Sequence, residues 1–201
     1  MIATLIAFIT RVFTGAHAKW LGSPPPANKP TVYFANHTSN LDMVLLWAVL
    51  PNHIRAKTRP AAARDYWEKN AIRRYLAGSV FKAILIERKK VTRSNNPIVQ
   101  LVQTLDEQTS IIIFPEGGRS ATDEMMPFKS GLFHLATERP NTKFVPVFIQ
   151  NLNRVMPKGE VLPIPLLCSV VFGSALVLDP AENKAAFLAR AREAVINLSK
   201  S

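Results

Sequence analysis

A lone cysteine, Cys168, excludes an internal disulfide, and its place inside an apolar run reads as a buried thiol that fits a reducing compartment. Acidic residues are scarce: 14 against 25 lysines and arginines, which leaves a formal net charge of +11. That surplus favours an anionic partner, whether membrane surface, nucleic acid or phosphorylated substrate. No uninterrupted apolar run reaches the ~20 residues that a membrane-spanning helix needs. A G-x-S-x-G elbow is missing, so Ser39, Ser120 and Ser130 lack the setting of a serine nucleophile. A G-x4-G-K phosphate loop is missing too. His17, His53 and His134 have no metal-ligand spacing. There is no internal repeat and no low-complexity tract.

What is present suits one domain with a real core: 201 residues, 48% of them apolar. The cations concentrate between Arg55 and Arg93, interleaved with Tyr66, Trp67, Tyr75 and Phe81, as a solvated basic face or an anion-binding one. At the N-terminus Ile2, Leu5, Ile6, Ile9 and Phe13 follow helical spacing, with Arg11 off the stripe. At the centre of a membrane span Arg11 would cost about 2.5–3.5 kcal/mol. The pattern therefore predicts an interfacial amphipathic helix, with Lys19 and Trp20 at headgroup depth. A first helix packed on the core is the alternative. Ala16-His17-Ala18 resembles a signal cleavage site but lacks a basic segment before it.

The spacing predicts a helix within 1–21, a stiff proline-rich linker over 22–30, and one domain over 31–201. Strands are expected at Thr31–Ala35, Arg55–Ala63 (weakened by Pro60), Ala83–Ile86, Ser110–Phe114, Phe144–Gln150, Cys168–Phe172 and Ala175–Leu178. Helices are expected over Asn40–Leu50, Asp65–Phe81, Ser94 (as cap) to Gln108, Leu132–Arg139 and from Asp179 onward. Strands alternating with helices give the α/β class: a largely parallel mixed sheet flanked by helices.

Two stretches speak to chemistry. In Asn36-His37-Thr38-Ser39-Asn40-Leu41-Asp42 a strand end is followed by Ser39 as a helix cap, so the chain turns between His37 and Asp42. Asp42 can then accept from one imidazole nitrogen while the other takes a proton from a hydroxyl. The same residues also read as a capping box beside an ordinary loop histidine. In Phe114-Pro115-Glu116-Gly117-Gly118-Arg119-Ser120 the strand stops at Pro115. Glu116 and Arg119 fall in the loop at the strand end, where α/β sheets bind ligands. The two glycines let backbone approach an anion and Arg119 can grip a phosphate. A surface turn with a Glu–Arg ion pair is the plainer alternative.

Taken in order, these motifs resemble the glycerophospholipid acyltransferase family. Its first block, N-H-x4-D, matches Asn36, His37 and Asp42. Its third, F-P-E-G-T-R-S, matches except at Gly118, where threonine is usual. Phe128-Lys-Ser-Gly131 and Val145-Pro-Val-Phe-Ile149 also resemble family segments. The second block, G-x-x-F-I-x-R, keeps Ile86 and Arg88 but has Lys82 for glycine and Leu85 for phenylalanine.

The resemblance implies a 1-acyl-sn-glycerol-3-phosphate acyltransferase-like, lysophospholipid O-acyltransferase. His37 and Asp42 would be catalytic, and Arg88, Glu116, Gly117, Gly118, Arg119, Ser120 and Lys129 would bind substrate. It implies no metal and no cofactor beyond acyl-CoA or acyl carrier protein as co-substrate. The expected partners are a lysophospholipid and an anionic membrane surface, not nucleic acid. The expected location is the cytoplasmic face of the membrane, peripheral or monotopic. A non-catalytic basic lipid- or nucleic-acid-binding module, and a lipid esterase using the same His–Asp pair, stand as alternatives.

Overall fold

The computed structural model describes residues 2–21, 29–88, 92, 95–120, 124–150 and 168–200. Its centre is a seven-stranded sheet made of β1 (His17–Trp20), β2 (Thr31–Ala35), β3 (Thr58–Ala63), β4 (Ile84–Ile86), β5 (Ser110–Ile113), β6 (Lys143–Gln150) and β7 (Ser169–Phe172), in the order β1-β7-β6-β2-β5-β3-β4. Every pairing is parallel except β6 with β7. The central strand β2 is buried along its whole length, as a strand covered on both faces must be.

Two prolines sit inside this sheet without breaking it. β3 pairs with β5 through Pro60, and its pairing with β4 starts only at Ala61. Pro146 of β6 pairs with Phe34, while β7 joins β6 from Val147 onward. Pro60 therefore stands where its strand has a neighbour on one side only, and its missing N–H leaves no gap in the ladder, whereas Pro146 still accepts Gly173 N–H (2.9 Å) through its carbonyl on the β7 side.

Helices cover both faces. On one lie α1 (Ile2–Thr14), α2 (Asp42–Val49) and α3 (Asn52–Arg55), packed over Tyr33, Ile112, Val145 and Phe172. On the other lie α6 (Pro97–Asp106), α7 (Gly131–Glu138) and α8 (Lys184–Leu198), packed over Val32, Phe34, Ile111 and Phe144. Short helices α4 (Arg64–Trp67) and α5 (Ala71–Tyr75) and a π-helical turn (Leu76–Val80) lead into β4.

Several expectations change. The N-terminal helix ends at Thr14 and is not set apart by the linker, because β1 pairs with β7 and α1 packs on α2. Asp65–Phe81 is not one helix. Asn70 caps a new one by accepting from Arg73 N–H, and the chain widens into the π-helical turn after Tyr75. Asn96, with Pro97 behind it, caps α6, whereas Ser94 lies outside the described residues. Ala175–Leu178 makes only an isolated bridge, Leu176 with Phe144. Asp179 to Glu182 forms a turn, and α8 is capped by Asn183 instead.

α1 has a divided surface. Ala7 and Thr14 are buried against the body, while Phe8, Val12 and Phe13 are more than 60% exposed and Ile2, Leu5 and Ile9 nearly as open. Arg11 turns inward, donating to the carbonyls of Val49 (2.9 Å) and Leu50 (3.5 Å) at the C-terminus of α2. A cation there complements the helix dipole. With Arg11 so engaged, the outward face carries a cluster of large apolar side chains, of the kind that marks an interaction surface. Thirteen residues give a helix of about 20 Å, and among the described residues no helix is long and apolar enough to cross a membrane.

Candidate active site

The loops that follow β2 and β5 meet at the C-terminal ends of these parallel strands. Asn36 anchors the first. Its side-chain amide donates to Ile149 O (3.1 Å) and its carbonyl oxygen accepts from Ile149 N–H (2.8 Å), prolonging the β2–β6 pairing by one residue. The chain then turns, and α2 begins at Asp42. Ser39 does not cap this helix: Leu41 is the cap residue, and the Ser39 hydroxyl oxygen accepts from Leu41 N–H at 3.3 Å.

Asp42 is fully buried, and one of its oxygens organises the loop. Oδ2 accepts from Thr38 N–H (2.6 Å), Ser39 N–H (2.8 Å) and His37 Nδ1 (2.8 Å). An imidazole that donates through Nδ1 is held in the tautomer whose Nε2 bears a lone pair. Nε2 has no partner among the described residues, and the ring, about one-fifth exposed, stacks on Phe114 at 4.5 Å. Oδ1 of Asp42 is buried with no hydrogen bond among the described residues.

Glu116 fastens the second loop to the first. Oε1 accepts from His37 N–H (2.7 Å) and Oε2 from Met126 N–H (2.9 Å), and the side chain is buried. Burial raises its carboxyl above the ordinary value, and the two backbone N–H groups pull partly against that rise. Ser120 adds a second tie through its N–H to His37 O (2.9 Å), while its hydroxyl donates to Glu124 O (2.8 Å). Both side chains of the third block thus act on backbone and shape the cleft from behind.

Gly117 has φ +70°, and a Cβ there would lie 2.8 Å from Cδ, Cε and Nζ of Lys129. The flexible end of the lysine is folded over this glycine and can swing aside, so it is the left-handed φ that demands glycine here. Gly118 has no such demand, since nothing lies within 4 Å of an added Cβ.

Two cavities meet at His37. One, of about 210 Å³, is walled largely by apolar groups from β3, β4, α6 and α7, including Ala61, Ile98, Leu101 and Leu132. The other, of about 160 Å³, is polar and is lined by Asn40, Tyr66, Arg88 and Arg119 among others. His37, Phe114 and Gly118 line both. Neither alone matches the ~300–1,000 Å³ typical of small-molecule sites, so a ligand of that size has to use both or reach beyond them.

Of the residues expected to bind substrate, the structure brings Arg88, Gly117, Gly118, Arg119 and Lys129 onto cavity walls. Arg119 is exposed and has no ion pair among the described residues. Arg88 is engaged: its Nη2 lies 2.9 Å from both oxygens of Asp65. Lys82 is not at this site. The sequence offered no signal for Ala61 or for Phe114 as the surface beneath His37, because both depend on which strand lies beside which. Cys168 is buried, and desolvation, with the Asp42 charge second, pushes its thiol up to about 11. It is a neutral packing group beside the site, not a nucleophile.

Residues 22–150 match the family model described as Acyltransferase. The chain is similar to the sheep protein named 1-acyl-sn-glycerol-3-phosphate acyltransferase alpha, with 33% identity over 67% of this chain and 45% of the relative. It is 29% identical to the 1-acyl-sn-glycerol-3-phosphate acyltransferase of Saccharomyces cerevisiae over 75% of this chain and 48% of the relative. The chain thus spans about half the length of these curated relatives. Among solved structures, the 1-acyl-sn-glycerophosphate acyltransferase PlsC from Thermotoga maritima superposes with a TM-score of 0.77 at 16% identity, covering 99% of this chain and 79% of that one. At that identity the likeness shows the shared fold.

Proposed function

Because the chain belongs to the acyltransferase family, we propose that it moves a fatty acyl group from an acyl thioester, acyl-CoA or acyl carrier protein, to the free hydroxyl of a lysophospholipid. The relatives' names favour 1-acyl-glycerol-3-phosphate as the acceptor and phosphatidate as the product. The observation that carries this reading is the placement of His37, with Nε2 unpartnered among the described residues, where an apolar cavity meets a cationic one.

His37 Nε2 takes the proton from the acceptor hydroxyl as its oxygen attacks the thioester carbonyl. Asp42 holds the ring and offsets the charge it gains. Collapse of the tetrahedral intermediate breaks the C–S bond, and the proton on Nε2 passes to the departing thiolate. The thioester is already activated, so no acyl-enzyme is needed. The acyl chain lies along Ala61, Ile98, Leu101 and Leu132. Arg119 receives the acceptor phosphate, and Arg88 joins it by exchanging Asp65 for phosphate. Lys129 and the backbone at Gly117 close the wall between the two substrates.

α1 supports attachment to a bilayer at its cytoplasmic face. Its exposed apolar residues enter the acyl boundary with the helix lying flat, and the +11 charge draws the body to anionic lipid. Lys19 and Trp20 belong to strand β1, not to a continuation of this helix.

The test is product analysis by mass spectrometry with palmitoyl-CoA and 1-acyl-glycerol-3-phosphate. Phosphatidate and free CoA in equal amounts are expected. Free fatty acid in place of acylated lipid would identify an esterase and overturn the transferase reading.

A further inference from the structure

Lys82 holds a left-handed backbone, φ 50°, at the position where the resembled second block carries glycine. A lysine bears strain there that glycine would not. The conformation is imposed by the π-helical turn, through Phe81 N–H to Leu76 O (2.9 Å) and Ala83 N–H to Ala77 O (2.7 Å). A strained lysine with an exposed side chain raises the question of what that side chain does.

It lines a third cavity, of about 320 Å³, together with Arg55 and Arg59, a floor of Trp47 and Phe81, and Ala3 and Thr4 from the first turn of α1. This cavity shares no lining residue with the two at His37. It opens at the other end of the sheet. Thr58 begins β3 and Lys82 precedes β4, whereas His37 follows the end of β2, which runs the same way.

Among the described residues its lining holds three cations, Arg55, Arg59 and Lys82, and no carboxylate. Arg55 is buried, yet among the described residues its guanidinium meets only neutral acceptors: Ala48 O and Leu50 O at 3.3 Å and Asn52 Oδ1 at 2.6 Å, with the Trp47 ring 5.2 Å away. Arg11 brings a second guanidinium to Leu50 O. Glu107 lies 3.4 Å from Arg59 and is largely exposed. A concave surface with clustered positive charge over aromatic walls concentrates anions.

The geometry points to a second anion site, separate from the acyl-transfer centre, that takes a phosphate mono- or diester between Lys82 and Arg59, with Arg55 as fixed charge behind it. The exposed Ile2 and Leu5 flank Ala3 and Thr4 on α1, so the cavity opens beside the apolar face of that helix. A lipid headgroup phosphate at a bilayer surface would reach it there.

Lys82→Gly tests this cleanly, because glycine suits the φ and removes the charge. Binding of the full chain to phosphatidylcholine vesicles, with and without phosphatidylglycerol, is measured by co-sedimentation. Thermal shifts with inorganic phosphate run in parallel. Lys82→Gly and Arg59→Gln are each expected to weaken binding to the anionic vesicles about fivefold while binding to neutral vesicles stays unchanged. Lys184→Gln, on α8 across the sheet, is the control for diffuse charge and is expected to have a smaller effect. If inorganic phosphate also stabilises wild type more than Lys82→Gly, the site takes free phosphate as well. If only vesicles respond, it takes a headgroup. Equal losses in all three variants, or none in Lys82→Gly, would overturn the proposal.

Discussion

Glu116 accepts the backbone N–H of His37 at 2.7 Å, so the acid of one motif holds the histidine of the other in place. Its second oxygen takes Met126 N–H at 2.9 Å. The two loops form one unit, and a change at Glu116 is felt at the imidazole without any contact to substrate.

Glu116→Gln keeps one acceptor and turns an amide donor toward the other N–H. The expected cost is roughly 1–3 kcal/mol in stability, with a fall in kcat and little change in KM. Burial raises the Glu116 carboxyl above its ordinary 4.5, so the folded state binds this proton more tightly than the unfolded chain does. The stability it contributes is complete below the ordinary value and is lost as pH climbs through the raised one. Denaturation midpoints across that window should show the step in wild type and not in Glu116→Gln.

The adjacent glycines should behave oppositely. Gly117→Ala forces a side chain into φ +70° and into the folded Lys129, at about 1–2 kcal/mol, with a higher KM for the acyl acceptor. Gly118→Thr restores the residue usual in the resembled block and meets open space. Its stability should stay within about 0.5 kcal/mol of wild type. Thermal denaturation and initial rates of both variants decide this.

Asp65 holds Arg88 Nη2 at 2.9 Å, and in the proposed reaction it competes with substrate phosphate for that guanidinium. Both side chains are about 40% exposed, at 39% and 42%, so the pair exchanges readily and contributes little to stability. Asp65→Asn should lower KM for lysophosphatidate with kcat retained, and Arg88→Gln should raise it. Steady-state kinetics at varied acceptor concentration check the pair.

Ala61 lies on β3 in the wall of both cavities at His37. Ala61→Phe should fill acyl space and lower kcat/KM for long-chain donors relative to short ones by about tenfold. A series of acyl-CoA chain lengths reads this out.

Much of this was legible in the sequence because it is local. Strands β2, β5 and β6 are apolar runs bounded by polar or turn residues, and the His37–Asp42 pairing follows from one turn between strand and helix. What was not legible depends on pairing across the sheet. Pro60 weakened the reading of β3, but its effect disappears once β4 is seen to join only from Ala61. β1 is four residues of mixed polarity, and only its pairing with β7 makes it a strand. Lys82 read as a departure inside a substrate-side block, yet the left-handed turn before β4 carries it to another cavity. Arg88 read as a substrate-binding residue, and Asp65 was invisible as its partner because a broken helical segment separates them in sequence.

The central claim is that His37 Nε2, oriented by Asp42 at 2.8 Å, removes the proton from the acceptor hydroxyl. Its most direct test is CoA release from acyl-CoA by His37→Ala, with and without lysophosphatidate, on protein shown by circular dichroism and thermal melting to be folded. Acceptor-dependent release should fall by at least about a hundredfold, with acyl-CoA binding retained. Wild-type rates of acceptor-dependent release from folded His37→Ala would contradict the account.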